Sequence, residues 1–202
     1  MLKELVPVTA RGEATRRKLL AAAEIEIGEK GFHAASVSSI TLRADVGQGT
    51  FYLYFRSKEE IFITLVRDIG NSLRENLMRS AGTDIATDDG DQFCLHAFFQ
   101  FAQQHPGLYR IVQEAQFVDE PTYRDYYERL AQCYAENLNA AQQRGELRAG
   151  DAEARAWAIM GIAHFVGMRW CLWQHVVPNQ ALVDEVIGLI TRGIGHALET
   201  AA

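Results

Sequence analysis

Apolar residues recur at three- and four-residue intervals along nearly the whole chain, and this periodicity confines it to a helical fold. Residues 15–30 carry Leu20, Ala23 and Ile27 on one face and stop at Gly31, a residue suited to the backbone geometry that follows a helix. Ser36 offers an N-cap for a second, short helix ending near Ala44, and residues 48–55 can form a third. Ser57 with Glu60 three positions on has the spacing of a capping box for a fourth, which runs through Ile61, Leu65, Ile69, Leu73 and Leu77 to about Arg79.

After a polar break over residues 80–91, the pattern predicts a helix at about 92–104 and a shorter one opened by His105-Pro106. Further helices follow at about 121–144, closing at Gly145, at 152–174 behind the cap Asp151, and at 181–199 after Pro178. No internal repeat, low-complexity segment or strand pattern interrupts them. The expected class is all-α with about nine helices.

No apolar run approaches membrane-spanning length, and the start MLKELVPVTARGE lacks the apolar core and cleavage site of a signal peptide, so a cytoplasmic protein without a membrane partner is expected. Cys94, Cys133 and Cys171 lie far apart with no CxxC pair, which argues against a disulfide framework or a zinc ribbon. The formal net charge of −6 is unevenly spread: residues 1–58 hold 9 Lys and Arg against 6 Asp and Glu, and residues 59–202 hold 11 against 20. A mildly basic head precedes an acidic body.

Within that head, a helix, a glycine-bearing turn and a second short helix form a helix-turn-helix, with helix 15–30 as the third side of a small bundle. Eight residues at 48–55 would make a helix roughly 12 Å long, matched to the width of a DNA major groove. Gln48 stands at its start, where an amide can pair with adenine. Tyr52, Tyr54 and Lys58 can bond phosphates while Phe51 and Phe55 face inward.

The order Gly49-Thr50-Phe51-Tyr52-x-Tyr54-Phe55-x-Ser57-Lys58-Glu59-Glu60 resembles the DNA-binding segment of the TetR (tetracycline-repressor) family of transcriptional regulators. An arginine-rich start, an alanine-rich first helix, the Gly31-Phe32 end and Ser36-Val37 with Ile40 extend the likeness over about residues 13–65. The chain departs from the family pattern at Ser38, Ser39, Thr41 and Asp45; an arginine missing at Ser38 removes a guanine contact, while aspartate tolerates turn geometry. The resemblance implies DNA contacts at Ser36, Ser38, Gln48, Gly49, Thr50, Tyr52, Tyr54 and Lys58, with Arg11, Arg16 and Arg17 as a basic arm. It also implies two domains, a DNA-binding domain at 1–57 and a ligand-binding and dimerisation domain at 58–202.

The body can be read for both tasks. Helix 152–174 is apolar on nearly every side, with one stripe at Ile159, Ala163, Val166, Trp170 and Trp173 and another at Trp157, Gly161, His164, Met168 and Cys171. Helix 181–199, with Leu182, Val186, Leu189, Ile190 and Ile194, is also too apolar for a lone surface helix. Pairing with symmetry mates would cover both, and burial within one chain is the alternative. Ten aromatic residues lie between 93 and 134. Most suit a core, but Phe98, Phe101, Tyr109, Tyr127 and Tyr134 with His164 and Met168 could line an effector cavity. His164 lacks a second ligand at metal-binding spacing. The segment HPGLYRIVQEAQFVDEP is similar to acyl-CoA-responsive members of the family.

No phosphate-binding glycine loop, GxSxG or HExxH motif supports an enzyme, and no cofactor is indicated. Two functions stay open. One is a homodimeric regulator, a repressor on a pseudo-palindromic double-stranded operator, released by a small apolar or aromatic effector with acyl-CoA thioesters as a candidate class. The other is a helical carrier or adaptor whose N-terminal bundle does not bind DNA.

Overall fold

Helix starts fall where a side chain can satisfy the backbone N–H groups that no preceding turn accepts. In the computed structural model, which describes residues 9–81 and 88–194, Thr9 Oγ1 accepts from Gly12 N at 3.1 Å and opens α1 (Ala10–Lys30), several residues before the start that periodicity predicts. Ser36 and Ser39 cap each other reciprocally at the head of α2 (Val37–Arg43). Ser57 Oγ accepts from Glu60 N at 3.2 Å before α4 (Lys58–Ala81), while the Glu60 carboxylate reaches one residue further back, to Arg56 N at 2.5 Å. The remaining α-helices are α3 (Gln48–Phe51), α5 (Asp88–Gln104), α6 (Leu108–Val118), α7 (Glu120–Gln143), α8 (Ala152–Gly167) and α9 (Gln180–Ile194). Asp151 caps α8 through Ala154 N at 3.0 Å, as the sequence predicts. The described residues contain no strand, so the fold is all-α.

Three further expected boundaries move. The eight-residue third helix is only four residues long: regular α-helix stops at Phe51, and Leu53 N and Tyr54 N continue it as single turns onto Thr50 O and Phe51 O. Pro106 precedes α6 instead of occupying its first turn. Helix 152–174 is α-helical only to Gly167, then widens into a π-helical turn, Met168–Leu172, with Trp173 N donating to Met168 O at 3.1 Å. The expected residues 195–199 of the last helix lie outside the described residues.

The chain divides into two compact units, one ending at Ile69 and including Pro106–Tyr126, the other formed by Gly70–His105 and the residues from Tyr127 onward. The division therefore cuts α4 and α7. In the first unit Leu19, Ala23, Ile27, Ile40, Phe51, Phe55, Ile61, Phe62 and Ile111 are buried. Each such side chain contributes about 1.5–3 kcal/mol relative to exposure. α6 is fastened to the end of α1 in this unit: Arg110 Nη1 donates to Glu29 O at 2.6 Å, and the Glu114 carboxylate accepts from Phe32 N. Gly31 between them has φ 85°, a value an L side chain rarely adopts.

In the second unit Phe99, Leu138, Ile159, Met160, Val183, Ile187 and Ile190 are buried. Trp157, Phe165, Trp173 and Leu189, from α8, its continuation and α9, stay exposed. The two apolar helices thus bury one face within the chain and keep large apolar side chains on the other. No described helix is long and apolar enough to cross a membrane.

Candidate nucleic-acid interface

The reading segment is oriented by its two buried aromatics. Phe51 and Phe55 are 0% and 2% exposed, and Phe55 N closes an α-type turn onto Phe51 O at 3.0 Å. Tyr52 keeps right-handed angles, and Leu53 N and Tyr54 N bond three residues back, so the segment stays coiled beyond α3. The expected inward face is therefore the observed one. Gln48, Gly49 and Tyr52 are exposed, Thr50 and Tyr54 half-buried. Leu53, which occupies the unspecified slot of the motif and escaped sequence reading, is 70% exposed on the same stretch.

Ser36 and Ser38 are exposed at the start of α2, with the Ser36 hydroxyl engaged by Ser39. Asp45 sits in the turn at φ 54°, the left-handed geometry that aspartate accepts more readily than most residues. Lys58 is engaged within the chain: Nζ donates to Phe32 O at 2.7 Å and Ala35 O at 2.8 Å, 4.3 Å from the centre of the Phe32 ring. Two of its three protons are committed to the turn after α1.

Beneath this surface lies an ion-pair lattice that periodicity could not reveal. Glu26, 3% exposed, meets Lys30 Nζ at 2.6 Å and Arg43 Nε at 2.7 Å, while Arg43 Nη2 reaches Glu29 at 2.9 Å. The hydrogen bond from Lys30, joined by that from Arg43 against the opposing effect of burial, lowers the Glu26 pKa to about 2. Through Arg43 the lattice ties the end of α2 to α1. The expected arm residues belong to α1: Arg16 lies over the Phe55 ring at 5.6 Å, Arg17 is 3.7 Å from Glu13, and Arg11 is exposed.

The expected effector residues divide between the units. Phe98 and Phe101 on α5, Tyr127 and Tyr134 on α7, His164 on α8 and Met168 in the π turn all belong to the second; Tyr109, buried on α6, belongs to the first. Tyr127 is 6.5 Å, centre to centre, from both the Trp157 and His164 rings. Burial pushes His164 below the usual imidazole range and favours its neutral form. Cys171 in the π turn faces Phe99 O at 3.8 Å, and burial raises the thiols of both Cys133 and Cys171. A separate groove of about 570 Å³ runs between α7 and the start of α8, lined by Glu128, Glu136, Asp151, Glu153 and Trp157 among others. Its carboxylates disfavour an anionic occupant. Among the described residues, no three His, Cys, Asp or Glu side chains are grouped to hold a metal.

Residues 19–65 match the family described as bacterial regulatory proteins, tetR family. Over 192 residues the chain is 32% identical to the uncharacterised HTH-type transcriptional regulator YdgC of Bacillus subtilis, covering 92% of this chain and 95% of that one. Its fold is similar to that of the fatty acid degradation regulator FadR of Bacillus halodurans, with a TM-score of 0.75, 23% identity and coverage of 87% and 93%. FadR of Bacillus subtilis, solved in complex with stearoyl-CoA, gives a TM-score of 0.74, 21% identity and coverage of 88% and 98%.

Proposed function

The chain belongs to the tetR family of bacterial regulatory proteins, DNA-binding transcriptional regulators, and from that premise we propose a homodimeric repressor that leaves its operator when a small apolar effector binds. The observation that carries this reading is the outward face of the segment at residues 48–54, held by Phe51 and Phe55. The proposed domains are a reading domain at 1–57 and an effector and dimerisation domain at 58–202. DNA contacts are assigned to Ser36, Ser38, Gln48, Gly49, Thr50, Tyr52, Tyr54 and Lys58.

The proposed dimer forms through the exposed apolar faces of α8, its π turn and α9. Twofold symmetry then calls for a pseudo-palindromic operator whose half-sites follow the DNA repeat. The effector is assigned to Phe98, Phe101, Tyr127, Tyr134, His164 and Met168; Tyr109, in the first unit, is left out. A neutral imidazole among aromatic rings suits an uncharged or thioester-linked chain better than a free carboxylate. The stearoyl-CoA bound by FadR of Bacillus subtilis makes acyl-CoA thioesters the class to test first.

The test is an operator selected from random duplex DNA, followed by gel-shift titration with a CoA-thioester panel. An effector preferring the DNA-incompetent conformer a hundredfold weakens operator binding by at most about a hundredfold, and operator weakens effector binding equally. Tyr134→Trp should blunt the response and leave effector-free DNA binding intact. A complex indifferent to every thioester removes that class, and a failure to select any duplex removes the DNA-binding assignment.

A further inference from the structure

Phe51 and Phe55 define the inward direction of the reading segment. Gly49 lies two positions before Phe51, and Leu53 lies two after Phe51 and two before Phe55, so both fall on the side of the segment away from the buried aromatics, four residues apart. This is the pair that meets the floor of a groove first.

Neither residue is explained by the fold. A β-carbon at Gly49 would find no atom within 4 Å, and the backbone there is not in a left-handed conformation. The helix tolerates alanine at that position and would gain from it. Leu53 keeps 70% of its surface in water while Phe51 and Phe55 on either side of it are buried. Bare backbone beside an isobutyl side chain forms a step with an apolar wall, on a head that carries excess positive charge. A glycine that packing does not require is used where another molecule's surface must come close.

Resting on the DNA-binding reading above, we infer that Gly49 and Leu53 together form a thymine-specific subsite: the base edge approaches the Gly49 backbone and its 5-methyl group packs against Leu53. Thymine is the only base that offers an apolar group in the major groove, so an outward leucine gains most there. Gln48 and Tyr52, stacked four residues apart on the neighbouring flank, are free to hydrogen-bond beside it.

The experiment replaces each thymine of the selected operator, one at a time, by deoxyuridine, which deletes only the methyl. Wild type should lose affinity about fourfold, the worth of one buried methyl, at one thymine in each half-site. Leu53→Ala should bind the thymine and uracil duplexes equally at that position while keeping its preferences elsewhere. Gly49→Ala, which holds the duplex away, should weaken the thymine duplex and also lose the discrimination. Selection of an operator with no methyl-sensitive thymine, or a Leu53→Ala protein that still distinguishes the two bases as wild type does, overturns the subsite. Failure of wild type to select any duplex instead overturns the reading on which it rests.

Discussion

Gly28 on α1 and Gly107 at the start of α6 meet backbone to backbone: a β-carbon at Gly28 would stand 2.7 Å from the Gly107 Cα, and one at Gly107 would stand 2.9 Å from the Gly28 Cα. Real carbon atoms do not approach so closely, so Gly28→Ala must push the two helices apart. The expected loss is about 1–3 kcal/mol of stability, read by urea unfolding. A midpoint equal to wild type would show that the helices separate without cost.

Gly49→Ala is expected to act in the opposite sense on the free protein. With open space at that position, alanine should add up to about 1 kcal/mol of helix stability, while operator affinity falls. Denaturation and gel-shift measurements on the same preparation would separate the effects. Stability and affinity rising together would show that the glycine is not there for DNA.

Glu26 sets an acid limit on the head. Its folded pKa of about 2 lies below the ordinary 4.5, so its contribution is fully present above pH 4.5 and is lost as pH falls toward 2. At neutral pH that contribution is on the order of 3 kcal/mol. Glu26→Gln should unfold more easily at pH 7 and show a flatter stability profile between pH 5 and 2, each range being about that of the titration. Parallel profiles for the two proteins would place the acid sensitivity elsewhere.

Leu189 and Ile190 are neighbours with opposite expectations. Leu189 is 62% exposed and Ile190 5% exposed, so Leu189→Glu should give a folded monomer with lost operator affinity, whereas Ile190→Glu should unfold the chain. Sedimentation and circular dichroism distinguish the cases. A Leu189→Glu chain that remains dimeric would move the interface off this face of α9.

The local part of the structure was legible because local signals are chemical and short-ranged. Ser36, Ser57 and Asp151 cap helices as their side chains require, and Phe51 and Phe55 turn inward as their spacing predicts. The length of α3 is not legible because apolar spacing is the same in a four-residue helix followed by single turns as in an eight-residue helix. The π turn leaves no mark on side-chain chemistry, and the pairing of Glu26 with Arg43 depends on a crossing of α1 and α2 that neither segment encodes alone. Residue type groups Tyr109 with Tyr127, and only the tertiary contacts assign it to the first unit.

Lys30 and Arg43 spend their charge on Glu26 and Glu29. Each cation so neutralised is one fewer partner for the DNA backbone, and counterion release from arbitrary duplex shrinks with it. On the DNA-binding reading proposed above, the expected hold on random duplex is lighter than the number of basic residues in the head suggests. A short dwell at each wrong site is then expected, with recognition resting on the few side chains proposed to reach the bases.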